Sequence, residues 1–146
     1  MDCKDIKVGT EIPKLVVEIS FVKMVMYCGA TWDFARFHYD PEFVHEFGFT
    51  KPVLDPQMHG AFAARMLSDW LMERGRIRKL GLRYGSPCFL GDTITYGGEV
   101  TRKHKADNVE YVDCVLKAQN SRGEHPMTGE ASLLFHEEGK GGTTSR

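Results

Sequence analysis

The chain has 146 residues and a formal net charge of -1, the size of one domain built on one core. Apolar residues make up 42% and charged residues 27% of it, which argues against a disordered or membrane-spanning chain, and its lysines and arginines are too scattered to form a footprint for nucleic acid or anionic lipid. The N-terminal "MDCKDIKVGTEIP" lacks the apolar stretch of a signal peptide and no later run approaches a membrane span, so the cytosol is the expected compartment.

In chain order, "KLVVEIS" and "FVKMVMYCG" are rich in valine and aromatics, a composition that predicts one or two strands. "ATWDFARFHYDPEFVHEFGFTKPVLDPQ" holds no sustained period and predicts short helical turns and loops. Within it, Asp40 followed by Pro41 predicts a helix N-cap. After Pro56, Met58, Phe62, Met66 and Trp70 recur at intervals of four, with Ala63, Leu67 and Leu71 on the adjacent row. That pattern predicts a helix apolar around more than half its circumference, wrapped by other structure and stopped near Gly75.

From Leu80 onward, "LGLRYGSPCF", "TITYGGEVTRKH", "VEYVDCVLKAQ" and "GEASLLF" read as strands. Val112, Cys114, Leu116 and Ala118 alternate with Asp113, Lys117 and Gln119, which gives a strand with one covered face. The turn signals "KADN" and "NSRG" predict an antiparallel meander. The expected architecture is an α+β domain over residues 1–138, an antiparallel sheet around one long central helix in the order of a hotdog fold. The small, polar "GKGGTTSR" in residues 139–146 is expected to be a mobile tail, and its Gly-Lys has no phosphate-loop context. Cys3, Cys28, Cys88 and Cys114 form no Cys-x-x-Cys pair and are expected to be free thiols, mostly small core residues.

The acid and histidine of "WDFARFHYD", Asp33 and His38, are five positions apart. On a helix they would lie about 140° apart, and on a strand they would face opposite sides. Only a bent segment brings both to one small molecule. The alternative is plain: Asp33 caps a short turn and His38 is a solvated loop residue.

"YCGATWDFARFHYDPEFV" resembles the signature of the MaoC-like family of (R)-specific enoyl-CoA hydratases and 3-hydroxyacyl dehydratases, with Tyr27, Asp33, His38 and Asp40 at the motif positions. The Asn-Pro usual between the catalytic pair is replaced by Ala35 and Arg36. The resemblance continues through "FGFTKPVLDPQMHGAFAARMLSDWL", with its His-Gly step at His59 and Gly60, and through Pro87, Gly91 and Asp92 of "GLRYGSPCFLGDTITYGGEVT". It covers roughly residues 20–104 and implies a hotdog fold and reversible hydration of a trans-2-enoyl-CoA, with no cofactor and no metal. An acyl-carrier-protein thioester is the other substrate it implies, and a homodimer or hetero-oligomer of hotdog subunits the assembly. The "DFARFH" form is similar to subunits of steroid side-chain hydratases, which implies a partner chain. A hotdog thioesterase and a non-catalytic acyl-CoA-binding subunit are the alternatives.

Adding water to a conjugated thioester needs two groups that handle protons and one that receives the oxyanion. The resemblance assigns the first task to Asp33 and His38, with Asp33 favoured as acceptor of the water's proton. Gly60, at the start of the predicted helix, would offer a backbone N–H to the thioester oxygen. Ser68 would support the water site or His38, unless it bonds to its own helical turn. Arg83 could meet a coenzyme A phosphate from its strand. His45, His59, His104, His125 and His136 lack metal-ligand spacing and are expected to be solvated or to cap, and Asp40 is assigned its structural cap.

Overall fold

A computed structural model describes residues 3–106 and 109–135. The elements run β1 (Glu11–Glu18), α1 (Phe21–Thr31), α2 (Pro41–Glu46), α3 (Pro56–Leu71), β2 (Gly75–Tyr84), β3 (Thr93–Ala106), β4 (Val109–Asn120) and β5 (Met127–Phe135). The five strands form one sheet in the order β1-β3-β4-β5-β2, with every pairing antiparallel. It wraps α3, which packs against β1, β2 and β3. This is the hotdog arrangement that the order of elements predicts.

The apolar rows of α3 explain its central place. Met58, Phe62, Ala63, Met66, Leu67, Trp70 and Leu71 are all buried, and each large side chain among them gains roughly 1.5–3 kcal/mol from leaving water. Val112, Cys114, Leu116 and Ala118 of β4 close over them from the sheet side. Asp55 caps the helix by accepting the Gln57 amide at 2.8 Å, with Pro56 at the first position. The helix stops at Leu71, followed by a 3₁₀ turn Met72–Arg74. Gly75 is therefore no helix stop: it opens β2 in extended conformation, where a Cβ would stand 2.3 Å from the Leu134 carbonyl oxygen.

A second expectation is overturned. "FVKMVMYCG" is helix α1, entered through Ser20, whose side chain accepts the Lys23 amide. Only Met24 and Cys28 of α1 are buried, while Phe21, Val22, Val25 and Met26 are exposed. The four cysteines are free thiols, three of them buried. No described helix is long and apolar enough to cross a membrane. The tail expected at residues 139–146 lies outside the described residues, as does His136.

Candidate active site

The bend that the spacing of Asp33 and His38 requires begins at the end of α1. Trp32 takes a left-handed conformation, φ 63°, and its N–H returns to the Cys28 carbonyl. The Asp33 N–H bonds to the same carbonyl at 3.1 Å, so the helix closes in a Schellman-type cap with tryptophan where glycine is usual. Asp33 then holds the following turn, its Oδ1 accepting the Ala35 N–H at 3.1 Å. A 3₁₀ turn, Arg36–His38, follows. Arg36, standing where the resembled motif has proline, donates to Asp40 at 2.8 Å and lies over the Phe43 ring at 4.4 Å. Asp40 caps α2 through the Phe43 amide, as its Asp-Pro sequence predicts. That amide first, and then Arg36, hold the Asp40 carboxyl below its ordinary range.

His38 ends this turn almost fully buried, with its Nδ1 2.8 Å from the Val53 carbonyl oxygen. A carbonyl only accepts, so Nδ1 carries the proton and Nε2 is the nitrogen free to exchange one. Val53 is itself fixed: its N–H bonds to Phe37 and it bridges to Phe89. Two residues on, Asp55 is buried at the head of α3. One side-chain atom from each of Asp33, His38 and Asp55 lies within 4.8 Å of the other two. The bent segment therefore brings the expected pair together and adds a second carboxylate. The three donors are of types a divalent cation accepts, but Asp55 spends one oxygen on the Gln57 amide and His38 spends Nδ1 on Val53.

Aromatic and imidazole rings surround this cluster. Tyr27, the motif tyrosine, has its phenol pushed up by burial and then by the charges of Asp55, Tyr84 and Asp33. Cys28 is raised by burial, then by Asp33 and Asp55. His59 is 3% exposed rather than solvated. Its Nδ1 is 2.8 Å from Tyr96 Oη and its ring stacks on Tyr84 at 6.2 Å. Burial pushes the His59 ring down to about 4, with Asp55 opposing.

Three expected residues fall differently. Gly60 is not at the tip of α3, because the helix begins at Pro56 and a regular turn gives the Gly60 N–H to the Pro56 carbonyl. The free amides lie earlier, and Asp55 takes those of Gln57 and Met58. Gly60 instead faces Leu82 and Tyr84, where a Cβ would sit 3.5 Å from the Tyr84 hydroxyl. Ser68 is exposed and, among the described residues, bonds to neither Asp33 nor His38. Arg83 alternates with Leu82 and Tyr84 on β2 and so points to the other face of the sheet. There it lines a concavity of about 950 Å³ with Lys79, Arg102, Lys117, Asp113 and Glu130.

His45 and His125 donate to the Thr50 and Ala118 carbonyls, and His104 stands 3.5 Å from Asp113. Asp55 and His59 are the residues that sequence reasoning missed. Each left a signal: Asp55 precedes a proline just as Asp40 does, and His59 falls on the helix row of Ala63, Met66 and Trp70, which is buried.

The profile of the MaoC like domain matches residues 7–121. Over 118 residues the chain is 28% identical to the 3-oxo-4,17-pregnadiene-20-carboxyl-CoA hydratase beta subunit of Mycobacterium tuberculosis (strain ATCC 25618 / H37Rv), covering 81% of this chain and 88% of that one. Among solved structures it is similar to a chain of the ChsH1-ChsH2 complex from Mycobacterium tuberculosis, with TM-score 0.80 and 25% identity over 89% of this chain and 98% of that one. R-hydratase PhaJ1 from Pseudomonas aeruginosa, at TM-score 0.84 and 19% identity over 92% of this chain and 85% of that one, shares the fold. The profile match runs from ahead of β1 to just past β4 and takes in every residue of the acid and imidazole cluster, and on it the chain belongs to the MaoC-like family of hydratases and dehydratases.

Proposed function

We propose that the chain is a hydro-lyase that adds water across the 2,3-double bond of a trans-2-enoyl thioester, or removes it from the matching 3-hydroxyacyl thioester. The observation that carries this is the convergence of Asp33, His38 and Asp55 within 4.8 Å. A carboxylate and an imidazole at that spacing can share one water and exchange protons with it.

In the hydration direction Asp33 takes a proton from water while the water oxygen bonds to C3. The π electrons of the C2–C3 bond move toward the thioester oxygen, and His38, protonated at Nε2, delivers a proton to C2. Transfer of the proton from Asp33 back to His38 resets the pair. The Val53 carbonyl holds the ring through Nδ1 in both protonation states, so only Nε2 needs to change. Asp55 keeps a second negative charge beside the imidazole that cycles.

Coenzyme A is the favoured carrier, since the Mycobacterium tuberculosis relative is named a carboxyl-CoA hydratase. That relative is a beta subunit, and the similar ChsH1-ChsH2 and HadBC structures are complexes of two kinds of chain. A hetero-oligomeric hydratase is therefore the assembly we favour over a homodimer. The free thiols suit the reducing cytosol. The test is to mix the purified chain with crotonyl-CoA and longer enoyl-CoAs and follow the conjugated absorbance. Its loss without release of free thiol is expected. Thiol release would make the protein a thioesterase, and neither change, alone or with a partner chain present, would refute both activities.

A further inference from the structure

The hydration reading leaves one need unmet within the chain: a donor for the thioester oxygen, because the Gly60 N–H is spent inside α3. We infer that the ring N–H of His59 at Nε2 is that donor, with Tyr96 as the positioning residue that fixes which ring nitrogen carries the proton; this rests on the hydration reading.

Tyr96 is fully buried on β3, and among the described residues its hydroxyl has one hydrogen-bond partner, His59 Nδ1 at 2.8 Å. Two arrangements fit that distance. If Nδ1 donates, the buried phenol O–H is left without an acceptor, at a cost of roughly 1–3 kcal/mol. If the phenol donates, both groups are satisfied and the ring proton lies on Nε2. The second arrangement wins. Nε2 then has no partner among the described residues. The only fully sealed side-chain polar atom without a hydrogen-bond partner among those residues is His104 Nδ1, so His59 Nε2 keeps some accessible surface although its residue is 3% exposed.

The ring lies within electrostatic reach of Asp55. His59 lies one helical turn beyond Asp55, whose carboxyl faces Asp33 and His38. Its ring stacks on Tyr84, whose hydroxyl meets the open Cα of Gly60. The thioester carbonyl carbon is bonded to C2, the atom that receives the proton, so the oxygen gathering charge stays next to the water site. A ring kept neutral by burial donates there without bringing a charge that would bind the ground state equally well.

The experiment pairs two variants with one spectroscopic measurement on the unmodified protein. His59→Phe combined with Tyr96→Phe removes both polar partners and keeps the ring volume. It should lower kcat on crotonyl-CoA by roughly a hundredfold, with KM and the shape of the pH profile little changed. His59→Gln retains an N–H at the Nε2 position and should recover most of that loss. A folded double variant with kcat within about threefold of the parent overturns the inference, since a true oxyanion donor is worth far more. Nitrogen NMR of His59 in the wild-type chain decides the matter even if the double variant does not fold. The Nε2–H tautomer, shifting on saturation with butyryl-CoA, supports the inference; an Nδ1–H tautomer, or an unresponsive signal, overturns it. Failure of the wild type to hydrate any enoyl-CoA, alone or with a partner chain present, refutes the hydration reading separately from these ring measurements.

Discussion

Asp55 holds the head of α3 with the same carboxyl group that faces Asp33 and His38, and the two duties can be separated by chemistry. Asparagine caps a helix about as well as aspartate but carries no charge. Asp55→Asn should therefore leave stability within about 0.5 kcal/mol while lowering turnover by about tenfold. Asp55→Ala loses the cap as well, at about 1 kcal/mol. Urea denaturation alongside enoyl-CoA turnover checks both. Asp33→Asn and His38→Ala should each lower turnover by about a hundredfold or more, the scale of a lost proton-transfer group; full activity in either variant removes its role. At this scale the sequence is only partly legible. Asp33 and His38 stand out through a resemblance, because neither a helix nor a strand brings residues five apart to one point. Asp55 and His59 do not stand out, because their meaning depends on what the fold sets against them: Asp33 and His38 for one, Tyr96 for the other.

Among the elements, α3 and β4 follow directly from periodicity, since each buries one side of a regular pattern, while β2, β3 and β5 are legible from composition, β2 starting at Gly75 rather than at Leu80. α1 does not. Its buried face is the narrow Met24–Cys28 row, and its outer face is also apolar, so no contrast marks a helical period and the valines suggest a strand. What identifies α1 locally is its ends, Ser20 at the start and the left-handed Trp32 after the last turn. Trp32 is 82% exposed and touches Phe34 edge-on, so little burial holds it there. The left-handed conformation costs a non-glycine residue about 1–2 kcal/mol. Glycine removes that strain but loses about 0.5–1 kcal/mol of chain entropy on folding. Trp32→Gly should therefore raise stability by about 0.5 kcal/mol, whereas the same change inside a helix lowers it by about 1 kcal/mol. A shift of the urea midpoint to higher concentration is expected. A shift to lower concentration would mean that Trp32 is held by contacts beyond Phe34.

For the molecule as a whole, the two ends of the sheet and the buried imidazole set the behaviour. β1 and β2 are the outer strands, each paired on one side only among the described residues. β1 carries Pro13 beside a register break, and β2 carries Arg76, Arg78 and Lys79, features that discourage edge-to-edge aggregation without removing the open edge. The chain should elute above monomer mass in light-scattering chromatography, alone or with the partner chain proposed above. The buried imidazole governs pH dependence. His59 is held at about 4 in the fold against an ordinary 6.5. The charged group that acts on it is Asp55, which opposes the shift, and Tyr96 stays neutral because burial raises its phenol. Between these two values the unfolded chain binds a proton that the folded chain refuses, so stability falls as pH drops from 6.5 toward 4 and is unaffected above 6.5. At pH 4.5 the loss should reach about 2–3 kcal/mol. His59→Gln has nothing to titrate there, so urea midpoints measured at pH 7 and pH 4.5 should diverge more in the wild type than in the variant. Equal divergence would mean that the ring accepts a proton where it lies, and a charged His59 could not serve the thioester oxygen as a neutral donor.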